Sequence, residues 1–133
     1  MAELFAVEAA SLTANVNFSA TATLVLSTNP LNPPYATAKV VISATITATT
    51  GTTQNALVMQ IYRNPSGENA LIGAVTANFI ATAAAAGVYS MAAVDRITDG
   101  RSCAYGLVLT ASSATANATA NIGTLLRAEM LSG

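Results

Sequence analysis

Apolar and polar residues alternate along most of this chain. In the segment 39–49, every second residue starting at Val40 is apolar, and most of the others are Ser or Thr. Apolar residues recur with the same period of two in the segments 103–111 and 116–122. Because successive side chains of a β-strand point to opposite faces of a sheet, this pattern predicts strands with one buried and one solvent-facing side.

Turn-forming residues separate the alternating runs at regular intervals. They occur at about residues 29–34, 50–52, 64–67, 86–87, 99–100 and 111–113. The pattern between them predicts eight strands, at about residues 3–12, 16–28, 36–49, 56–64, 69–80, 87–95, 101–111 and 116–130. Two segments are also compatible with other structures: Thr76–Ala86 with a short helix or a loop, and Ile122–Leu131 with a helix. Several short strands between spaced turns favour an all-β fold, a single jelly-roll β-sandwich of antiparallel strands.

The length and composition of the chain bound its organisation. Its 133 residues fit one domain, 1–133, in which residues 1–12 form either an arm or the first strand. Hydrophobic residues make up 53% of the sequence and charged residues 8%, whereas globular domains have about 25% charged residues. Such a surface must be covered by Ser, Thr, Asn and Ala, or by other protein, which predicts a place in an oligomer or a larger assembly.

Several classes of partner are excluded by the same data. The net charge is −1, so no basic face is available for nucleic acid. No run of 18 apolar residues occurs, which excludes a membrane-spanning helix. The segment Met1–Glu8 has no basic region and is interrupted by acidic residues, so we expect no secretion signal. The single cysteine, Cys103, fits synthesis in a reducing cytoplasm.

Candidate catalytic chemistry is sparse. The chain has no histidine, which removes the usual general base and the commonest zinc ligand. Asp95 and Asp99 flank Arg96 and can be interpreted as a calcium loop or an acid–base pair, but a polar turn before Gly100 is favoured. Cys103 shares an apolar row and is interpreted as a small core residue. We therefore expect no catalytic residue, no cofactor and no metal site.

Arg63 is the most informative basic residue. It ends an inward-pointing row that contains Leu57, Met59 and Ile61, and it precedes a predicted hairpin tip at 64–67. It can be interpreted as an active-site arginine or as a residue at the rim of a β-module. The pattern favours the second interpretation, in which the side chain leaves the core and reaches solvent, a neighbouring carboxylate or another subunit.

Six short segments follow one another in about the C-terminal 75 residues. They are Ile61–Asn64 (IYRN), Leu71–Gly73 (LIG), Ala93–Asp95 (AVD), Asp99–Gly100, Tyr105–Ser112 and Leu126–Leu131. This order resembles a sequence type found in virion proteins of tailed bacteriophages that carry a jelly-roll module of tumour-necrosis-factor-like topology. The shared motifs are typical of that architecture rather than of an activity.

The resemblance implies a function as well as a fold. It implies a capsid cement or decoration protein, made in the host cytoplasm, that binds the major capsid protein on the outer surface of the virion as a homotrimer and stabilises the shell. A head-fibre, tail-fibre or spike module that binds a host receptor or glycan is the alternative. An enzyme, such as a carboxylate-based hydrolase, ranks last because the residues for catalysis are missing.

The residues predicted to contact a partner come from three separate segments. They are Glu3, Leu4 and Phe5 near the N-terminus, Pro33, Pro34 and Tyr35 in the Pro-rich loop, and Arg63. Apolar and Pro-rich segments at the ends of a β-module are free to reach a neighbouring molecule. For Leu4 and Phe5 a second interpretation stays open, in which they simply begin the first core strand.

Overall fold

The fold was analysed in a computed structural model of the protein, which describes residues 4–49, 55–79, 86–111 and 118–132. Ten strands are found in these residues: β1 (Leu4–Ser11), β2 (Val16–Phe18), β3 (Thr23–Ser27), β4 (Ala38–Thr49), β5 (Asn55–Arg63), β6 (Ala70–Phe79), β7 (Ala86–Ile97), β8 (Tyr105–Ala111), β9 (Ala118–Ala120) and β10 (Leu125–Ser132). The described residues contain no helix, so the predicted all-β class is confirmed. In particular, they contain no apolar helix long enough to cross a membrane. Glu3 and the turn predicted at 50–52 lie outside the described residues.

The strands form two antiparallel sheets. In the first sheet, β4 pairs with β7 on one side. On its other side, β4 pairs with β10 along most of its length and with β9 near its end. β1 lies outside β10, and β2 lies outside β9. The second sheet has the order β3-β8-β5-β6. β1 and β2 thus occupy the place of one interrupted strand, and β9 and β10 occupy the place of another. Counted in this way, each sheet is four strands wide.

Strand pairing is nested along the chain. The interrupted first strand pairs with the interrupted last strand, and β3 pairs with β8. Inside these pairs, β4 pairs with β7 and β5 pairs with β6. The four nested pairs alternate between the sheets. The outermost pair and the pair β4–β7 lie in the first sheet, and the pairs β3–β8 and β5–β6 lie in the second.

Two of the predicted strands are divided in the structure. The prediction of a single strand at 16–28 is wrong, because β2 belongs to the first sheet and β3 to the second. The strand predicted at 116–130 is broken near Gly123, whose φ is +106°, a value that glycine adopts without steric cost. At this break Thr124 Oγ1 accepts a hydrogen bond from the backbone N of Thr47 at 3.2 Å, which replaces a backbone partner.

Other boundaries shift by a few residues. β7 continues to Ile97, beyond the predicted end at residue 95, and β8 begins only at Tyr105. The residues just before β8 form an isolated bridge between Cys103 and Leu31 instead of a full strand. Ile122–Leu131 belongs mainly to β10, so the helical alternative for this segment is wrong.

The core lies between the two sheets and follows the predicted alternation. The inward row of β4, from Val40 to Ala48, is buried, while Ser43 and Thr45 on its other face are exposed. The facing rows come from Leu57, Met59 and Ile61 in β5 and from Tyr105, Leu107 and Leu109 in β8, all at most 1% exposed. Together these rows form one cluster of buried side chains from both sheets, which supplies most of the apolar burial that stabilises the fold.

The turn between β5 and β6 folds back over the second sheet. Its Pro65 covers Gly106 in β8, where a Cβ atom would lie 2.7 Å from Cγ of Pro65 and 2.8 Å from Cδ1 of Leu24. The turn is closed by hydrogen bonds from the backbone N atoms of Gly67 and Asn69 to the backbone O of Asn64. Because residue 106 has no side chain, Pro65 can pack directly against β8. This contact positions the turn residues next to Pro65.

We predict that Gly106→Ala lowers the free energy of unfolding by about 1–3 kcal/mol, because the new methyl group displaces the Pro65 ring. Gly67→Ala is the matched control, since nothing lies within 4 Å of a Cβ at that position. It should change stability by less than about 0.5 kcal/mol. Urea denaturation of both variants measures the difference, and equal stabilities would contradict the packing described for Pro65.

Candidate functional site

Charged side chains are concentrated at one end of the molecule. The chain has five basic and six acidic residues, and three of each meet where β5 and β7 end and where the segment 98–104 leads into β8. These residues are Arg63, Glu68, Asp95, Arg96, Asp99 and Arg101. In a chain with 8% charged residues, this concentration marks the end as the candidate functional site, which we call the charged end.

Arg63 organises the charged end from the last position of β5. Its Nη1 donates to both carboxylate oxygens of Asp95 at 2.9 Å. Its Nε and Nη2 donate to Glu68 at 2.9 Å and 3.2 Å. The guanidinium therefore bridges a carboxylate on β7 and a carboxylate in the β5–β6 turn. Hydrogen bonds between ionised groups are the stronger kind, so both contacts hold Arg63 in place.

Asp95 is the buried member of this arrangement, with 7% of its surface exposed. Besides Arg63, it accepts hydrogen bonds from Tyr105 Oη at 2.8 Å and from the backbone N of Arg96 at 2.9 Å. Tyr105 Oη in turn accepts a hydrogen bond from Cys103 Sγ at 3.4 Å. Arg63, Asp95, Tyr105 and Cys103 form what we call the buried polar network. It joins β7 of the first sheet to β5 and β8 of the second.

Burial and hydrogen bonding shift the titration of these groups. Burial raises the pKa of the Tyr105 phenol and of the Cys103 thiol. The hydrogen bond from Arg63 lowers the pKa of Glu68, and the hydrogen bond to Glu68 raises the pKa of Arg63. At neutral pH the network therefore holds a neutral phenol, a neutral thiol and a charged guanidinium. Neither Cys103 nor Tyr105 is poised to act as a base or a nucleophile.

A cleft of about 250 Å³ opens above the network. It is lined by the charged side chains of Arg63, Glu68, Arg96, Asp99 and Arg101, together with Asn64, Ile97, Thr98, Ser102 and Cys103. Three arginines and two carboxylates line the cleft, and the described residues of its lining include no aromatic ring. Within the described ranges, no group of three or more His, Cys, Asp or Glu side chains could hold a metal ion. The chemistry that the cleft offers is hydrogen bonding and charge pairing.

The aspartate pair identified in the sequence is separated by the fold. Asp95 lies inside β7, in agreement with the strand predicted at 87–95, and it points into the protein, so the polar turn does not include it. Asp99 lies in the exposed turn after β7, where its Oδ1 accepts a hydrogen bond from the backbone N of Arg101 at 3.1 Å. The interpretation of Asp99 as a turn residue before Gly100 agrees with this hydrogen bond. The two carboxylates therefore do not form a shared acid–base or calcium site.

The segments predicted to contact a partner lie next to one another. The rings of Phe5 and Tyr35 meet edge to face, with centroids 5.8 Å apart and an interplanar angle of 72°. The residue after Tyr35, Ala36, accepts a hydrogen bond through its backbone O from the backbone N of Gly100 at 3.0 Å. Gly100 lies between two residues of the cleft wall. The loop that carries Tyr35 is thus joined by this backbone hydrogen bond to the segment that lines the cleft, and Arg63 lines the same cleft.

Exposure differs among these residues. Leu4 is 55% exposed and Tyr35 is 66% exposed, although both are large apolar or aromatic side chains. Pro34 is also exposed, whereas Pro33 and Phe5 are half-buried. Phe5 packs against the core cluster, so it serves both as part of the first strand and as support for Tyr35. Leu4, Pro34 and Tyr35 are the exposed members of the predicted set among the described residues.

Sequence reasoning missed Glu68 and the roles of Asp95 and Tyr105. A usable signal for Asp95 was present, because Met91, Asp95 and Ile97 share one face of β7 at a period of two. Following this alternation through Asp95 to Ile97 places the carboxylate on the inward face, where Arg63 also points. Glu68 gave no such signal, because its position depends on the shape of the turn.

Comparison with known proteins gives no family. No protein-family model matches the chain, and no curated protein matches it. The function is therefore argued from the fold, from the charged end and from the exposed apolar residues beside it.

We predict that Asp95→Asn lowers the free energy of unfolding by about 2–3 kcal/mol, because it removes the buried charge that Arg63 and Tyr105 face. Asp99→Asn is the matched control, because its side chain is 60% exposed and an amide oxygen can still accept the hydrogen bond from Arg101. It should change stability by less than about 0.5 kcal/mol. Urea denaturation compares the two, and equal losses would contradict the role given to Asp95.

We also predict a loss of stability in alkali. Cys103 and Tyr105 have pKa values raised above their ordinary values of 9.0 and 10.0. The native state therefore keeps protons that the unfolded state releases, so the stabilisation is complete below pH 9 and falls as the pH rises further. Tyr105→Phe should lower stability at pH 7 by about 1–2 kcal/mol through the lost hydrogen bond to Asp95. It should also flatten the decline above pH 10, which denaturation between pH 7 and 11.5 measures, and a slope equal to that of the wild type would contradict this role of Tyr105.

Proposed function

We propose that this protein is a structural module of jelly-roll topology that acts as a homotrimeric capsid cement protein on a tailed bacteriophage. The nested pairing supports the topology. We count β1 with β2 as strand 1, β3 to β8 as strands 2 to 7, and β9 with β10 as strand 8. The first sheet then has the order 1-8-3-6 and the second has the order 2-7-4-5. Eight strands wound as two Greek keys have the same nested arrangement.

The residues that carry the resemblance to phage virion proteins hold the fold together. Arg63 of the IYRN segment and Asp95 of the AVD segment form an ion pair, which Tyr105 of the next segment completes. Gly73 of the LIG segment faces Ala93, and a Cβ on this glycine would lie 3.0 Å from the Cβ of Ala93. These motifs therefore describe an architecture, which supports a structural role over a catalytic one.

Exposed apolar side chains support assembly into a trimer. Ten large hydrophobic residues among those described are exposed: Leu4, Val7, Leu24, Tyr35, Leu71, Val75, Val88, Val94, Ile122 and Leu125. Each sheet also has two edge strands, whose backbone groups invite pairing with another chain. Trimerisation around a threefold axis covers apolar area and sheet edges together, and a chain with so few charges gains solubility when they are covered.

The single observation that carries the proposed docking on the capsid is that the loop with the exposed Tyr35 ring is hydrogen-bonded, through Ala36, to Gly100 at the charged end. Stable protein interfaces combine a central group of apolar or aromatic side chains with a polar rim. Here the exposed aromatic ring of Tyr35 packs against Phe5, and the next residue, Ala36, is hydrogen-bonded through its backbone to Gly100. A module that binds only assembled capsid subunits stabilises the shell by mass action and needs no catalytic residue or cofactor.

A second candidate function is a head-fibre, tail-fibre or spike module that binds a host receptor or glycan. The cleft at the charged end is the observation that favours it, because a concave polar site can hold a small ligand. Against a glycan, the described part of the cleft lining offers no aromatic ring on which a sugar could stack. Binding on a glycan array would favour this second function.

The proposal predicts that the purified chain is a trimer at micromolar concentration and binds phage capsids that lack it. Tyr35→Ser should weaken capsid binding about tenfold or more, because aromatic anchors carry much of an interface's energy. Ile122→Ser is the matched control, since Ile122 is 61% exposed at another site, and it should bind like the wild type. Sedimentation and co-pelleting with capsids measure both properties. A monomer that does not bind capsids would overturn the proposal.

A further inference from the structure

We infer that the charged end is a receptor for a carboxylate side chain of a partner protein, and that Glu68 occupies this receptor while the chain is alone. The inference rests on the proposed assembly function, because it supposes a protein partner, and it identifies the chemical group on that partner. Three observations support the inference. The donor groups are already in place, the Glu68 side chain that they now bind is exposed, and two further arginine side chains lie around the site.

Three donors converge on one carboxylate at the cleft wall. Arg63 Nε and Nη2 bind the two oxygens of Glu68 at 2.9 Å and 3.2 Å. Asn64 Nδ2 adds a third hydrogen bond to Oε1 of Glu68 at 3.3 Å. A guanidinium that presents two parallel N–H groups matches the planar geometry of a carboxylate. The donors therefore define a carboxylate site, whichever residue supplies the carboxylate.

The donors are held in place without the help of Glu68. Asp95 binds Nη1 of Arg63 from the buried side, so the guanidinium keeps a partner if Glu68 leaves. Asn64 is fixed by two hydrogen bonds with Ala104: its backbone N donates to Ala104 O at 2.7 Å, and its Oδ1 accepts from Ala104 N at 2.9 Å. The site is therefore preorganised for a replacement ligand.

Glu68 is the exchangeable partner of Arg63. Its side chain is 48% exposed, whereas that of Asp95 is 7% exposed. It also stands in the β5–β6 turn, outside both sheets. Exposed ion pairs contribute little to stability because water screens them and the side chains lose freedom. A carboxylate delivered by a docked partner can therefore take the place of Glu68, whereas Asp95 stays bound to the guanidinium.

Two further arginines line the same cleft. Arg96 has no ion pair with any described residue, and Arg101 is 86% exposed with its Nε 3.7 Å from Asp99 Oδ2. Once Glu68 is displaced, three guanidinium groups face the cleft opening, and they attract an acidic segment during encounter. The present occupant is a glutamate side chain, which is why we infer an acidic protein segment and not a phosphate-bearing ligand.

The experiment titrates a capped peptide of four glutamates into the ¹⁵N-labelled chain and follows the amide signals of Asn64, Glu68 and residues 98–102. We expect a weak, saturable complex whose shifts map to the cleft. Glu68→Gln should tighten binding roughly two- to fivefold, because the neutral amide that replaces the carboxylate competes more weakly for the donors. Arg101→Gln should weaken binding, and a peptide of four glutamines should not bind.

Glu129→Gln is the matched control. Glu129 pairs with Arg127 at 3.0 Å on β10, away from the cleft, and its substitution changes the net charge by the same amount. If Glu68→Gln and Glu129→Gln bind the peptide equally, or if inorganic phosphate displaces the peptide at equal concentration, the carboxylate receptor is wrong. If the peptide does not bind but the wild-type chain still binds capsids, this inference alone is rejected. If the wild-type chain does not bind capsids, the assembly function is rejected.

Discussion

The alignment of the two sheets depends on one buried carboxylate. Among the described residues, Asp95 is the one charged group with a buried side chain, and an unpaired charge in such a place costs several kcal/mol. Its side-chain donors come from the other sheet, from Arg63 on β5 and Tyr105 on β8. Arg63 and Tyr105 can both bind Asp95 only when the two sheets are aligned as they are in this structure. The network that stabilises this position also places Arg63 at the cleft, so the same contacts serve packing and the candidate site.

Much of the fold was predictable because strand periodicity is a local property. The inward rows of β4, β5 and β8 were assigned correctly from alternation alone, and so was the hairpin tip after Arg63. The failures occurred where a non-local partner sets the outcome. The run 16–28 changes sheets between β2 and β3, and the last strand is broken opposite Thr47. The sequence on either side contains no signal for either event, because each depends on a strand that is distant in the chain.

The candidate site was predictable only in part. Arg63 stood out because a charge at the end of an apolar row needs a partner, and the structure supplies Asp95 and Glu68. The adjacency of Phe5 and Tyr35 could not be read from the sequence, since it arises from the return of the chain between β3 and β4 to the edge of β1. Glu68 was missed for a similar reason: its contact with Arg63 depends on the turn held by Asn64 and Asn69, both with positive φ.

The nested pairing also sets the order in which the molecule can be completed. β5 and β6 are joined by a six-residue turn and can pair as soon as they are synthesised, whereas β1 must wait for β10 at the far end of the described chain. Pairings between distant segments form late, because closing a long loop costs entropy before any contact compensates for it. Until β10 arrives, the apolar inward row of β4 lacks the neighbour that covers one of its edges. Folding of the growing chain is therefore expected to proceed outward from the β5–β6 hairpin, leaving the first strand and its aromatic residue as the last parts to gain protection.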